Sequence, residues 1–196
     1  MRHDMGPVKT VNKELKGWFK LGEGRKADRT LKQQLRGLGE LQERIAGKSV
    51  LDIGCAEGLI SIQLIDRGAI AAHGIEMRPD YVDDANRLRG DRACTFEVAN
   101  ANEWLPRRFY DVVIMLAVLH KLKNPAEACL RYAQAANELV VLRLPPKHAP
   151  LILDGRSGMQ PFDMGEVMKA AGFRLGTHGC IGPHEEWMGY YERVPT

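Results

Sequence analysis

Apolar residues recur along this chain in two rhythms. At steps of three or four, Leu31, Leu35, Leu38, Leu41 and Ile45 predict one helix, with Thr30 as its N-cap and Gly47 as its stop. After it, short apolar runs alternate with helical stretches. "SVLDI" reads as a strand, and Leu59 to Arg67 as a helix ended by Gly68. "IAAHGIE" is a strand and "RPDYVDDANRLRG" a helix with Pro79 in its first turn. "CTFEVA" and "YDVVIML" are the third and fourth strands. "NPAEACLRYAQAA" is a helix, "ELVVLRL" a fifth strand, and "DMGEVMKAAG" a helix that Asp163 caps. The end, "FRLGTHGCIGPHEEWMGYYERV", holds two strand-like runs around a Gly-Pro turn, the mark of an antiparallel pair. Continuous apolar strands separated by helices call for a doubly wound α/β domain, its parallel sheet covered on both faces.

Composition narrows this reading in three places. With 196 residues, 44% of them hydrophobic, the chain makes one domain with its own core. The net charge of +3 is too mild to argue for nucleic acid by itself, but residues 1–48 hold 12 Lys and Arg against 6 Asp and Glu. That basic excess is either a solvated face or a surface for an anionic substrate. The cysteines Cys55, Cys94, Cys129 and Cys180 form no CxxC pair, as expected of buried thiols in a reducing compartment. "MRHDMGPVKT" lacks the apolar core of a signal peptide, and the longest apolar run, Val112 to Leu119, is too short to span a bilayer. The expectation is a soluble, cytoplasmic protein with no membrane partner.

Chemistry concentrates in "VLDIGCAEGLIS", where the first strand runs into a turn with Gly54 and Gly58. In a doubly wound sheet, ligands lie beyond the carboxyl ends of the strands, beside this first turn. Glycine permits positive φ and lets a neighbour approach the backbone. Glu76 ends the second strand, where a carboxylate accepts hydrogen bonds from both hydroxyls of a ribose. A tight turn and a surface carboxylate are the plainer readings of the same residues. NAD and S-adenosylmethionine both carry an adenosine ribose, and the glycine spacing separates them. The turn reads G-C-A-E-G and lacks the third Gly of the dinucleotide pattern G-x-G-x-x-G, so a pyrophosphate is poorly served.

In order, "VLDIGCAEG", "GIEMRP", "VANANEWLP", "YDVVIMLAVLHKLKNP" and "ELVVLRLP" resemble the successive motifs of class I S-adenosylmethionine-dependent methyltransferases, over roughly Gly47 to Val194. The resemblance implies a Rossmann-like methyltransferase fold: a doubly wound, mostly parallel seven-stranded sheet with an antiparallel last strand. It divides the chain into a basic N-terminal helical extension or cap, 1–46, and an S-adenosylmethionine-binding methyltransferase domain, 47–196. It also implies roles for residues. Asp52 and the backbone at Gly54, Cys55 and Gly58 hold the methionine end of the cofactor, and Glu76 takes the ribose. Met77 covers an adenine face, Asn100 and the Ala101 N–H read the adenine edge, and Leu116 lines the methionine arm. Two positions depart from the pattern: Ala56 stands where Gly is usual, and Asn100 where Asp is usual, though the Asn oxygen accepts a hydrogen bond equally well.

The acceptor is less legible. "MLAVLHKL" follows the fourth strand where base-amine methyltransferases carry an Asn/Asp-Pro-Pro-aromatic tetrad, so the chain resembles the small-molecule branch. There His120 is a candidate general base, or a loop cap. In "GWFKLGEGRKADRT", Trp18 and Phe19 offer apolar cover, and Arg25, Lys26 and Arg29 are anion contacts; Arg143 and Arg156 are further candidates. "THGCIGPHEE" matches no zinc spacing, and no metal is expected. The expected function is methyl transfer from S-adenosylmethionine, giving S-adenosylhomocysteine, to an oxygen or nitrogen of a small molecule. Two alternatives stand beside it: an RNA methyltransferase that uses the basic N-terminus, and a non-catalytic module that keeps the cofactor fold.

Overall fold

A computed structural model describes residues 17–19, 27–145, 151–152, 162–182 and 186–195. Short strands β1 (Gly17–Phe19) and β2 (Ala27–Arg29) pair in parallel ahead of helices α1 (Leu31–Gln34) and α2 (Gly39–Arg44). Then follow β3 (Ser49–Ile53), α3 (Leu59–Asp66), β4 (Ala71–Glu76), α4 (Pro79–Arg89), β5 (Cys94–Val98) and β6 (Tyr110–Leu116). A 3-10 turn (Leu119–Lys121), α5 (Pro125–Gln134) and β7 (Ala136–Leu144) come next. Strands β8 (Leu151–Ile152) and β9 (Phe162–Asp163) pair antiparallel. The described chain closes with α6 (Met164–Ala170), β10 (Phe173–Ile181) and β11 (Glu186–Arg193).

Seven strands form one sheet in the order β10-β11-β7-β6-β3-β4-β5. Neighbours from β7 through β6, β3 and β4 to β5 run parallel, and β11 runs antiparallel to both β7 and β10. The fold is the seven-stranded, doubly wound sheet with an antiparallel last strand. Alternation along each strand sends side chains to opposite faces. Leu51, Ile53, Val113 and Met115 pack against Cys129 and Tyr132 of α5 and Met164 and Met168 of α6. Val50, Ala72, Val112 and Ile114 pack on the other face against Leu41, Ile60, Leu64 and Tyr81.

The predicted helix from Thr30 to Gly47 is two helices. Thr30 caps the first with a complete capping box, its side chain accepting from Gln33 N–H while the Gln33 side chain accepts from Thr30 N–H. The break falls at Gly37, whose φ of +75° no L-residue adopts cheaply and where a Cβ would lie 2.5 Å from Met188 Sδ. Carbonyls freed at the break are taken by distant strands. The Arg143 guanidinium donates to Gln34 O and Arg36 O at 2.7 Å each and to Gln34 Oε1 at 3.1 Å, and Tyr190 Oη donates to Gly37 O at 2.5 Å. Leu38, Leu41 and Ile45 are fully buried beside Val50, Met188 and Tyr190, so α1 and α2 belong to the core of the domain they precede.

Candidate cofactor and acceptor site

The carboxyl ends of β3, β4 and β6 and the segment after β5 enclose a cavity of about 330 Å³. Gly54, Glu76, Met77, Asn100, Ala101 and Leu116 all line it. Glu76 is set in place by the two loops it joins. Its Oε2 accepts from Ala56 N–H at 3.3 Å and its Oε1 from Arg78 N–H at 3.1 Å. The carboxylate thus faces the cavity already oriented by two backbone donors, as recognition of paired hydroxyls needs. Met77 leaves 67% of its surface exposed on the cavity wall, an apolar platform next to that carboxylate. The Ala101 carbonyl accepts from Tyr132 Oη at 2.7 Å and Arg131 Nη2 at 3.0 Å. Its N–H donates to no described residue and so suits the edge of a planar ligand.

Some predicted residues, in the lining or behind it, have partners of their own. Asn100 closes a local turn: its Oδ1 accepts from Asn102 N–H at 3.1 Å and from Asn102 Nδ2 at 2.9 Å, while its Nδ2 donates to Glu103. Asp52 lies behind the cavity wall and is 3% exposed, its Oδ2 accepting from Ser61 Oγ at 2.7 Å. Burial pushes the Asp52 carboxyl up to about 7, with the Ser61 hydrogen bond opposing and the Glu76 charge adding to the rise. Cys55 is buried too, and burial holds its thiol well above the usual range. Gly58 opens α3 at φ +71°, and a Cβ there would lie 2.5 Å from Phe96 Cζ and 2.9 Å from the Ala85 Cβ. What comes close to Gly58 is the Phe96 ring.

Two non-glycine residues in the cavity wall hold positive φ, Ala56 at 49° and Ala117 at 58°. Strained backbone of this kind persists where the surrounding structure over-determines it, commonly at functional sites. Ala56 occupies the position where the motif usually has Gly, and it keeps the left-handed turn.

The candidates for acceptor chemistry lie in different surroundings. His120 belongs to the 3-10 turn after β6 but does not line the cavity; the next residue, Lys121, does. Lys121 stands exposed on the open side, yet enough protein surrounds its ammonium that burial lowers its pKa, with Glu76 raising it and Arg29 lowering it. Arg143, expected to meet an anionic substrate, is 1% exposed and spent on the carbonyls of the broken helix. Burial brings its guanidinium down to about 10. Arg29 pairs with Glu186 at 2.7 Å, tying β2 to the start of β11. Trp18 is described only in its backbone, and Arg25, Lys26, Arg156 and His184 lie outside the described residues. Sequence reasoning also missed Tyr81 and Arg78, which line the cavity with the guanidinium 3.8 Å from the tyrosine ring centre. Among the described residues no group of His, Cys, Asp and Glu is placed to hold a metal, and no helix is long and apolar enough to cross a membrane.

The family model described as a methyltransferase domain matches residues 45–144, just over half of the chain. The ubiquinone biosynthesis O-methyltransferase of Pseudomonas aeruginosa is 34% identical over 103 residues, which cover 48% of this chain and 44% of that protein. The tRNA U34 carboxymethyltransferase of Aeromonas salmonicida is 30% identical over 87 residues, 42% of this chain and 27% of that one. The chain therefore spans less than half the length of these curated relatives. In shape it is similar to magnesium protoporphyrin IX methyltransferase from Synechocystis, solved with bound S-adenosylmethionine. The TM-score is 0.64 at 21% identity, over 79% of this chain and 74% of that one. The sheet order, the cavity at its carboxyl edge and the matched family model agree: this chain belongs to the class I S-adenosylmethionine-dependent methyltransferases.

Proposed function

We propose that the cavity binds S-adenosylmethionine and that the chain methylates a small molecule at oxygen or nitrogen. The observation that carries this reading is Glu76, a carboxylate held on the cavity wall by two backbone N–H groups beside an exposed methionine. Glu76 takes the ribose, Met77 and the Ala101 N–H take the adenine, and Gly54 and Leu116 border the methionine arm. When bound, the cofactor supplies a methyl group on a positively charged sulfur, which an in-line nucleophile removes. The residues of the chain hold donor and acceptor in line and keep water out, which supplies much of the rate in such a displacement. Asp52 acts from behind the turn, by holding α3 to β3 through Ser61. The Arg29–Glu186 pair ties β2 to the start of β11.

The O-methyltransferase relative supports a small acceptor. The basic N-terminus and the tRNA-modifying relative favour a second reading, RNA as acceptor. Labelled methyl transfer to a panel of small phenols, acids and amines, run beside unmodified tRNA, separates the two. Incorporation into tRNA that falls steeply with added salt supports RNA, because each phosphate contact releases counterions. Incorporation into a small molecule, insensitive to salt, supports the first reading.

A further inference from the structure

Helices α3, α4 and α5 join successive parallel strands and cover the sheet, but the connection from β5 to β6, residues 99–109, contains no helix. A parallel sheet ordinarily has both faces covered. Here the loop leaves a second cavity of about 260 Å³, and none of its described lining residues lines the first. From the sheet come His73, Thr95, Glu97 and Tyr110; from the loop come Trp104, Arg107 and Arg108.

Three rings and two guanidinium groups meet there. The His73 ring lies nearly parallel to Tyr110, at 13° with centres 6.4 Å apart, and its centre is 5.8 Å from that of Trp104. Arg108 stands 4.8 Å over the Tyr110 ring, and Arg107 Nη2 lies 3.6 Å from Glu97 Oε1. His73 Nδ1 shares a hydrogen bond with Thr95 Oγ1 at 2.8 Å, and its Nε2 lies 3.6 Å from Glu97 Oε2. Burial holds the imidazole below its usual pKa, with Glu97 opposing and the Arg108 and Arg107 charges adding to the fall. Two arginines against one carboxylate leave the cavity with an excess of positive charge. Its wall is set in advance, since Tyr132 Oη reaches the Trp104 carbonyl at 3.3 Å and its ring lies 6.3 Å from the indole. The indole Nε1 of Trp104 is buried and has no acceptor among the described residues. A buried donor in that state calls for a partner from outside the protein, water or a ligand.

We propose that this cavity is a second ligand site, which takes a small planar ring carrying one oxyanion, a carboxylate or a phosphate. The ring packs among His73, Trp104 and Tyr110, and the oxyanion meets Arg107 and Arg108, whose planar forks of donors match such groups. Glu97 disfavours a second negative charge on the ligand. The volume, just under the roughly 300–1,000 Å³ of pockets for drug-sized ligands, suits a single ring. The site does not depend on what fills the first cavity.

The test uses the full chain labelled with nitrogen-15, in which W104F identifies the indole N–H signal of Trp104. Benzoate and phenyl phosphate are titrated separately, and the tighter of the two identifies the oxyanion. At least one of them moves the Trp104 signal saturably at millimolar concentration. Benzyl alcohol, which lacks the charge, and inorganic phosphate, which lacks the ring, bind more weakly by about tenfold or more. Arg107 and Arg108 are both exposed, so R107Q and R108Q keep the fold. Each weakens the better ligand about tenfold, as expected for a lost hydrogen bond to a charged group. Excess S-adenosylhomocysteine does not displace it. The proposal is overturned if neither benzoate nor phenyl phosphate moves the Trp104 signal saturably, or if benzyl alcohol or inorganic phosphate binds as tightly. It is equally overturned if R107Q or R108Q leaves the affinity unchanged, or if S-adenosylhomocysteine competes, because the ligand then occupies the first cavity.

Discussion

The Ala56 N–H donates to Glu76 Oε2 at 3.3 Å, so the turn after β3 and the end of β4 hold each other in place around one carboxylate. Removing it takes away the tie between the two loops and the carboxylate proposed to accept from the ribose. Glu76→Ala is expected to weaken S-adenosylhomocysteine binding by ~1–3 kcal/mol, the usual loss for a charged hydrogen-bond acceptor. Calorimetry of the variant checks it, and unchanged affinity contradicts the role given to Glu76.

Asp52 makes stability depend on pH. Burial raises its carboxyl to about 7 in the folded chain, above the ordinary carboxylate value that the unfolded chain shows. Between those two values the folded state holds a proton that the unfolded state has lost. The contribution of Asp52 is therefore fully present at low pH and is lost as pH rises toward 7, by up to about 1.4 kcal/mol per pH unit. Asp52→Asn keeps the shape and removes the titration. Urea denaturation of both proteins from pH 4 upward is expected to show that slope in their difference; a flat difference refutes the assignment.

Gly58→Ala forces a Cβ to within 2.5 Å of the Phe96 ring at a φ of +71°. The expected loss of stability is ~2–4 kcal/mol, the sum of overpacking and a left-handed L-residue. A paired Phe96→Leu substitution is expected to restore part of it. Chemical denaturation of the single and double variants measures both effects, and a stable Gly58→Ala single variant contradicts this packing.

Arg143→Met tests whether that residue serves the core or the substrate. The variant leaves the Gln34 and Arg36 carbonyls at the helix break without their donor, at a cost of ~1–3 kcal/mol in unfolding free energy. S-adenosylhomocysteine affinity is expected to stay as in the wild type. A variant as stable as the wild type would return Arg143 to the list of substrate contacts.

The strands and most helices were legible because their signals are local: apolar runs of strand length, Pro79 and Pro125 at helix starts, Asp163 capping α6 through Gly165 N–H at 2.7 Å. The break at Gly37 was not. Leucines continue across it at helical spacing, and its causes, Met188, Arg143 and Tyr190, stand far along the chain. Arg143 itself looked like an anion contact because sequence shows only that a cation follows an apolar strand. Register places it between Leu116 and Met188, inside the sheet, with α1 above it. Gly58 shows a related limit of sequence: a glycine marks close approach and does not say by what, and the side chain nearest it is Phe96. For the cavity wall, motif order located Gly54, Glu76, Met77, Asn100, Ala101 and Leu116, since their places follow from strand ends. His120 and Lys121 are neighbours in one 3-10 turn, and of the two Lys121 lines the cavity, a difference that only the turn geometry reveals.

The most direct test of the central claim is calorimetry of the wild-type chain with S-adenosylmethionine and, separately, S-adenosylhomocysteine. Stoichiometric binding of both in the micromolar range is the predicted result, with Glu76→Ala weakening both together. No heat with either ligand, on a protein whose denaturation curve shows it folded, would contradict the assignment of this cavity to the cofactor.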